Sequence, residues 1–420
     1  MTQFSIREFL SRVVGLSAKH DHYTDFGYPD HVTFWQLHKM YERNDVAKAA
    51  VRKTTEKTFQ NLPTVLSRQD GDEDEDLAEA FDRLGFWDKL ADLDEYAQVG
   101  GYAGLILRIA DGKRFHEPVD GSLSIDDLVE IIPAWSEQIR VSEWHLDETD
   151  PDTYGKPKTF TFNEAAITRD GANRNVVVHP DRVFVWSGDG TVHWPSALLS
   201  GYNNLLDMEK ISGAGGEGFW KTAAARLNIQ IDKDTDFENF KRSVEASTGK
   251  TFQEALDEKA KKLNAGFDAS YISQGMNVAP FSIALPQPKE FFDIPLQAFA
   301  AGRSMPVKVL IGNVTGERAS TEDAREWNNT IMARRNRWTI PSIRALLFKL
   351  ERLGMLAPGW HIEWDDLSDD TPAARLERAD RMADINTKQM ASEDQPVFTV
   401  EEIRLEAGYD GPPPEFEDDL

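Results

Sequence analysis

From Thr321 to Leu353 the sequence carries one long apolar period with a proline inside it. Trp327, Ile331, Arg334 and Trp338 recur at helical spacing, and Ile343, Leu346, Leu347, Leu350 and Leu353 continue the row. Ser320 is placed to cap the first turn, with Asp323 at the capping-box position. Glu322 and Asp323 also suit the positive end of the helix dipole. Pro341 cannot donate a backbone hydrogen bond, so the rod is expected to kink there. Upstream, a shorter helical piece ends at Gly302. A loop punctuated by Pro and Gly follows it, from Gly302 to Arg318. The frame is therefore helix, loop, then long kinked helix.

The rest of the chain must fold around that frame. Its 420 residues, 40% of them hydrophobic, allow a large core and two to three compact units. There is no cysteine, which excludes disulfides, thiolate metal sites and cysteine nucleophiles. The N-terminal MTQFSIREFLSRVVGL is amphipathic but lacks the apolar run of a signal peptide. No stretch approaches the roughly 20 apolar residues of a membrane span. The expectation is a protein without a membrane partner, working inside a cell or a particle. Its net charge is −25, from 72 acids against 47 bases. Grip on nucleic acid comes from Lys and Arg neutralising phosphates, which this balance disfavours. An acidic wall can still guide DNA without holding it, although from charge alone simple solubility is the favoured reading.

Taken in order, a helix is expected over Thr33–Thr58, with Trp35, Met40, Val46, Ala47 and Ala50 buried. The acidic run Asp70–Asp76 reads as a solvated loop. Leu77–Val99 is helical again, with Leu77, Phe81, Leu84, Trp87, Leu90 and Leu93 on one side. LILRIA then opens a β-rich part, with a hairpin-type turn at Asp111-Gly112 and strands in VEIIPA, KTFTFN, NVVVHP and DRVFVW. Pro195 opens the next helix, whose apolar stripe is Leu198, Leu199, Tyr202, Leu205 and Leu206, and which weakens at SGAGGEGFW. NIQI, the polar helices Phe237–Ala246 and Thr251–Ala265, and a strand-like Met276–Leu285 make a small α/β insertion over 228–286. HIEW is a short strand. A helix starts at Thr371-Pro372 with Leu376, Ala379, Met382 and Ala383 inward. Thr399 to Glu402 fits a capping box, and Gly408 stops the final helix before an acidic, Pro-rich tail.

Several motifs touch chemistry without completing it. Gly213, Gly215 and Gly218 match G-x-G-x-x-G, but a helix precedes them and Glu217 would repel a pyrophosphate, so a helix break is preferred. His20, His22, Asp25 and His31 could ligate a metal, or simply form a polar loop. Asp70, Asp72, Asp74 and Asp76 imitate a calcium loop, yet its glycine position is Glu75 and its twelfth is Phe81. His31-Val32-Thr33 is half of a paired H-x-T phosphoesterase signature whose second half is missing. No catalytic constellation and no cofactor are expected. The basic cluster Arg334, Arg335, Arg337, Arg344, Lys349 and Arg352 stands out in an acidic chain. It is a solvated helix face, an ion-pairing surface for an acidic neighbouring subunit, or a contact to DNA.

Several stretches together resemble the tailed-bacteriophage portal proteins, in particular the DUF1073-type family. They are GYAGLILRI, VVVHPDRVFVWSG, LLDMEKISGAGGEGFWK, MPVKVLIGNVTGERASTEDAREWNNTI, RRNRWTIPSIRALL and VFTVEEIRLEAGY. The resemblance covers roughly 80–400; no single piece is specific, but their order is. It implies an α+β portal fold with a β-rich wing, a helical stem, an α/β clip and a C-terminal helical crown. Mapped onto this chain, 1–32 is an N-terminal arm, 33–193 the wing and 194–227 the first stem helix. Residues 228–286 form the clip, 287–303 the second stem helix and 304–320 the tunnel loop. The kinked wing helix takes 321–365, and the crown with the acidic tail takes 366–420. The resemblance implies no enzyme. It implies a homo-oligomeric ring, a dodecamer, at one capsid vertex of the virion, assembled in the host cytoplasm. Double-stranded DNA passes through it without sequence specificity during packaging and ejection. Its partners are the major capsid protein, the terminase large subunit and a head-tail adaptor. Arg303, Lys308 and Arg318 are then expected in the tunnel loop near phosphates, and Arg334, Arg335, Arg337 and Arg344 at the subunit interface. Competing expectations are a phosphoesterase using His31 and a different head-tail adaptor ring.

Overall fold

The computed structural model describes residues 22–67, 75–120, 123–165, 167, 175–223, 227–231, 237–255, 257–258, 276–280, 288–312, 317–367, 372–390 and 395–409. The expectations for the arm before His22, for the acidic run up to 74 and for the tail after 409 lie outside these residues. The elements in order are α1 His22–Phe26, α2 Phe34–Arg43, α3 Asp45–Thr58, β1 Thr64–Ser67, α4 Glu75–Leu84 and α5 Phe86–Gly100. Then come β2 Ala103–Ile109, β3 Leu128–Trp135, β4 Ile139–Trp144, β5 Pro157–Asn163, β6 Asn175–Val178 and β7 Val183–Trp186. The middle holds α6 Tyr202–Ala223, β8 Leu227–Ile231, α7 Phe237–Thr248, β9 Met276–Pro280, α8 Pro288–Gly302 and α9 Val307–Ile311. The last elements are α10 Glu317–Arg334, a π turn Arg335–Thr339, α11 Ile340–Arg352, β10 Trp360–Glu363, α12 Pro372–Met390 and α13 Val400–Glu406. They form two compact units. A body takes Phe34–Ala197 and Ser304–Leu420, and a second unit takes Met1–Thr33 and Leu198–Arg303.

In the body, β2 is the central strand. It pairs antiparallel with β3 on one side and β7 on the other, with Ala103 opposite both Trp135 and Trp186. Its sequence AGLILRI is buried almost throughout, as a strand covered on both faces must be. Leu105 and Leu107 point into a core shared with Leu90 and Leu93 of α5 and with Leu346 and Leu350 of α11. Ile106 points the other way, toward Ile139, Phe160, Phe162 and Val178 of the β4-β5-β6 sheet. Burying each such side chain stabilises the fold by about 1.5–3 kcal/mol. At the α5–β2 corner Gly101 holds φ at +88°, and a Cβ there would collide with the Trp194 carbonyl.

The helix expected over Thr33–Thr58 is two helices. Asn44 caps the second, its Oδ1 accepting from the Val46 and Ala47 amides at 3.1 Å each. Met40, Ala47 and Ala50 are buried as expected, but Trp35 is 48% exposed and stacks edge-on against Phe34. Leu77–Val99 is likewise divided, at Gly85 with φ +59°. Asp111-Gly112 is not a tight hairpin. Asp111 instead accepts from the Lys113 amide and pairs with Arg182 at 2.5 Å, while the chain takes a long excursion before β3. The strand β4 has no counterpart in the sequence reading.

In the second unit, α6 begins at Tyr202, seven residues after Pro195. Before it the chain turns, with the Ala197 amide and Ser196 hydroxyl donating to the Gln98 carbonyl within the body. Leu198, Tyr202 and Leu205 are buried, whereas Leu199 is exposed. The helix does not weaken at its glycines: it runs through Gly213, Gly215, Gly216 and Gly218 to Ala223. Their amides lie within helix, so the G-x-G-x-x-G pattern builds no phosphate loop. α8 packs along α6, with Phe299 buried over Gly201, where a Cβ would intrude on the ring. β8 pairs antiparallel with β9 around α7, so the expected insertion is α/β.

The long helix starts at Glu317, so Ser320 lies within it rather than capping it. Pro341 has a defined consequence just upstream, the π turn, in which the Ile340 amide donates to the Arg335 carbonyl five residues back. Trp327, Ile331, Arg335, Thr339, Ile343 and Leu347 are all buried, at every fourth position. A pure α-helix would rotate such a row by about 40° per step. The wider turn restores the phase. After it, β10 pairs with β1, and α12 follows, in which Ala379 is the one buried residue among the described side chains; Leu376 is 51% exposed and Ala383 is exposed. The capping box before α13 is present, with Thr399 Oγ1 accepting from the Glu402 amide at 3.1 Å.

One buried carboxylate ties these segments together. Asp94 of α5 is 2% exposed and accepts from Thr55 Oγ1 at 3.0 Å, Gln98 Nε2 at 3.1 Å, Trp186 Nε1 at 3.2 Å and Arg334 Nη2 at 2.6 Å. Arg334 also donates to Thr58 Oγ1 at 2.9 Å. Next to it Arg335, 1% exposed, donates to the Thr58 carbonyl at 2.8 Å, the Asp365 carbonyl at 3.0 Å and Asn61 Oδ1 at 2.6 Å, and lies 4.2 Å over the Trp364 ring. Burial pushes its guanidinium down to about 10, which leaves it a cation at neutral pH.

Two outcomes follow. Arg334→Met leaves the Asp94 charge buried without its cation and should cost about 3–5 kcal/mol in urea unfolding. Adding Asp94→Asn should recover part of that loss, because the uncompensated charge is gone. The second concerns Lys349, whose Nζ donates to the Pro180 and Val183 carbonyls at 2.7 and 2.9 Å. Burial first, then the Arg352 guanidinium, pushes its ammonium from 10.5 down to about 8, with Asp181 opposing. Below pH 8 the lysine is charged in both states and its burial weighs against folding. Between about 8 and 10.5 the unfolded chain holds more protons, so stability rises with pH. The stability of Lys349→Met relative to the unsubstituted protein should therefore fall as pH is raised through that window.

Candidate channel loop and interface arginines

The loop expected over 304–320 is largely helical where it is described. α8 ends at Gly302, and the Arg303 amide donates to the Phe299 and Ala300 carbonyls at 3.1 Å each. The half-buried Arg303 is the last residue of the second unit, and Ser304 the first of the returning body. Ser304 has φ +50°, the one positive φ outside glycine among the described residues. An L-residue pays roughly 1–2 kcal/mol in that region. The strain sits where the chain passes from one unit to the other.

Next, α9 is clamped from two sides of the body. Lys53 Nζ of α3 donates to the Val309 and Leu310 carbonyls at 2.6 and 3.1 Å, placing a cation on the last turn of the short helix. Lys308 pairs with Asp323 of α10 at 3.1 Å. Lys308 therefore has a carboxylate partner within its own chain, and its charge is partly neutralised before any phosphate approaches. Arg318 lies in the first turn of α10 by its backbone; its side chain is outside the described residues.

The four interface arginines divide. Arg334 and Arg335 point into the body, bound to Asp94, Thr58, Asn61 and Asp365 of their own chain, so they are not interface residues. A guanidinium turned inward and hydrogen-bonded within its own chain has little left to offer a neighbour. Arg337 and Arg344 are exposed. Lys349 is turned to the carbonyls at Pro180 and Val183, and Arg352 approaches Asp181 at 3.5 Å. Among the described residues no three His, Asp or Glu side chains converge as metal ligands; His20 and the side chain of His22 lie outside those residues. His31 sits exposed in a bend before α2.

Residues 35–388 match the family model for phage portal protein. The chain belongs to the phage portal protein family. No curated protein matches it. Its fold is similar to a chain in the virion of a native gene transfer agent particle, at TM-score 0.51 and 14% identity over 90% of this chain and 94% of that one. It is similar also to a chain in the neck of the native particle computed with C12 symmetry, at TM-score 0.51 and 14% identity over 95% and 99%. A chain in the neck of the empty particle, computed with C6 symmetry, gives TM-score 0.51 and 15% identity over 90% and 94%. The α+β portal fold expected from the sequence is the one this family member has.

Within this portal-family chain the clamp on α9 can be tested directly. Hydrogen bonds from a charged donor contribute about 1.5–3 kcal/mol, so Lys53→Met should raise amide exchange in Val307–Ile311 by at least about tenfold. Exchange in α5, which Lys53 does not touch, should stay unchanged.

Proposed function

We propose that this protein is one subunit of a ring, of about twelve copies, that forms the portal at one capsid vertex and serves as a channel for double-stranded DNA. The observation that carries the reading is the family match over residues 35–388. The likeness in fold to a neck chain computed with C12 symmetry supports the ring. The role is structural rather than enzymatic. The body corresponds to the wing and crown, α6 and α8 to the stem, the β8-α7-β9 insertion to the clip and residues 304–320 to the tunnel loop. The ring sits in the virion and assembles in the host cytoplasm. It docks the terminase large subunit during packaging, a head-tail adaptor afterwards, and the major capsid protein throughout.

A net charge of −25 suits a conduit, since the wall repels the duplex instead of binding it. Arg303 and Arg318 are the basic groups proposed to approach phosphates. Lys308 joins them only when its pair with Asp323 opens. Arg337 and Arg344, being exposed, are proposed for ion pairs with a neighbouring subunit.

Electron microscopy of the purified protein tests this. Closed rings with a central opening wide enough for a duplex are expected, and a protein that stays monomeric at high concentration overturns the reading. In particles, Arg303→Glu with Arg318→Glu should leave rings intact but lower DNA packaging or retention. Normal packaging removes both residues from the channel assignment.

A further inference from the structure

We propose that the acidic stretch Gly411–Leu420 docks, within its own chain, on the exposed basic and aromatic face that Arg337 and Arg344 make along the long helix.

The face is the outer side of that helix. Ile343, Leu346, Leu347 and Leu350 turn inward, while Arg337, Pro341, Arg344 and Phe348 stand exposed on the side away from them. Trp338 lies at the margin, half-buried, with the Trp194 ring edge-on at 6.0 Å between centroids. Phe348, 55% exposed, leans on Trp360 at 4.8 Å. From Asn336 to Leu350 the chain has no acid. The two acids at the far end of α11 are engaged. Glu351 accepts from the Trp360 indole at 2.8 Å, and Asp181 accepts from the Val119 amide at 3.3 Å with Arg352 3.5 Å away. Arg337 and Arg344 pair with no carboxylate among the described residues. Two solvated guanidinium groups flanked by aromatic rings suit a partner that is both anionic and apolar.

The sequence beyond Tyr409 supplies such a partner. It reads GPPPEFEDDL from Gly411, with Glu415, Glu417, Asp418 and Asp419 and no base. A run of three prolines favours the extended left-handed helix that aromatic-lined grooves bind, and Phe416 adds a ring among the acids. Its ten residues span at most about 36 Å extended, against about 20 Å for the 13 residues of α11, so the stretch is long enough to cover both arginines and Phe348. A tethered segment acts at an effective concentration near millimolar, which favours the chain's own tail over that of a dilute second copy. A neighbouring subunit would have to displace the tail to reach these arginines. That consequence rests on the ring reading, whereas the docking itself does not.

Fluorescence anisotropy of a dye-labelled peptide spanning Gly411–Leu420 tests the docking, with full-length protein dilute enough to sediment as a monomer. Glu415→Gln, Glu417→Gln, Asp418→Asn and Asp419→Asn together neutralise the tail and free the face. That variant should bind the peptide at least about tenfold more tightly than the unsubstituted protein, whose own tail is in place. Adding Arg337→Gln and Arg344→Gln should abolish the gain, and so should salt near about 0.5 M, which screens exposed charges. Both arginines are exposed, so circular dichroism should not change. Equal affinities for the unsubstituted and neutralised proteins overturn the proposal. Because the chain has no cysteine, Ala345→Cys with Phe416→Cys gives a second readout: a bismaleimide should link the two within one chain. Links between chains place another copy's tail on the face, and no link leaves it uncovered; either result overturns the proposal. If duplex DNA binds through these arginines as tightly before tail neutralisation as after it, the face is open to nucleic acid and the proposal fails. None of these readouts depends on ring formation, so the ring reading stands or falls separately.

Discussion

The body is organised around the buried charge pair of Asp94 and Arg334. Asp94 has no water to solvate it, so it must be surrounded by donors, and each donor comes from a different segment. Thr55 brings α3, Trp186 brings β7, and Arg334 brings the end of the long helix from far along the chain. The requirement to satisfy one carboxylate thus fixes where four elements meet. Hydrophobic burial around Leu90, Leu105 and Leu346 provides the driving force, but it is tolerant of small displacements in a way that a hydrogen-bonded charge is not. Ion pairs of this kind are weak sources of net stability. Their effect here is to make one arrangement of the helices far better than its neighbours.

That pair also explains what the sequence could and could not show. The apolar rows of α5, α11 and β2 were legible, because period alone places Leu90, Leu93, Leu346 and Ile106 inside. The capping box at Thr399 and the strand pairing around the α/β insertion were legible for similarly local reasons. Asp94 was hidden: it stands between Leu93 and Ala97 in a helical row and looks like one of many acids until Arg334 is seen beside it. Arg334 and Arg335 were misplaced by the same blindness, since a basic run on a helix reads as a surface when its acceptors are carbonyls and amides hundreds of residues away. Helix starts failed where one residue decides. Asn44 and Gly85 divide helices that period would join, and Tyr202 begins a helix that Pro195 seemed to open.

The basic residues therefore fall into two classes by what they touch. Arg334, Arg335, Lys53 and Lys349 are consumed by the protein's own carbonyls and carboxylates, and they hold segments in register. Arg337 and Arg344 remain outside. In a chain this acidic, internal use of cations removes positive charge from the surface and leaves the exterior more uniformly negative than the composition implies.

The π turn at Arg335–Thr339 bears on how the long rod tolerates change. Without it, a row of every fourth residue from Trp327 to Leu347 would wind about 200° around an α-helix, to nearly the opposite side. The extra backbone wound into that turn keeps Arg335, Thr339 and Ile343 in line with Trp327 and Ile331. Deleting a single residue within the turn would therefore let it close to ordinary α-helix with the leucine row still facing the sheet, whereas a deletion in α10 or α11 would rotate that row by about 100°. Exchange of side chains along this helix is a local matter, whereas a change in its length outside the turn is not.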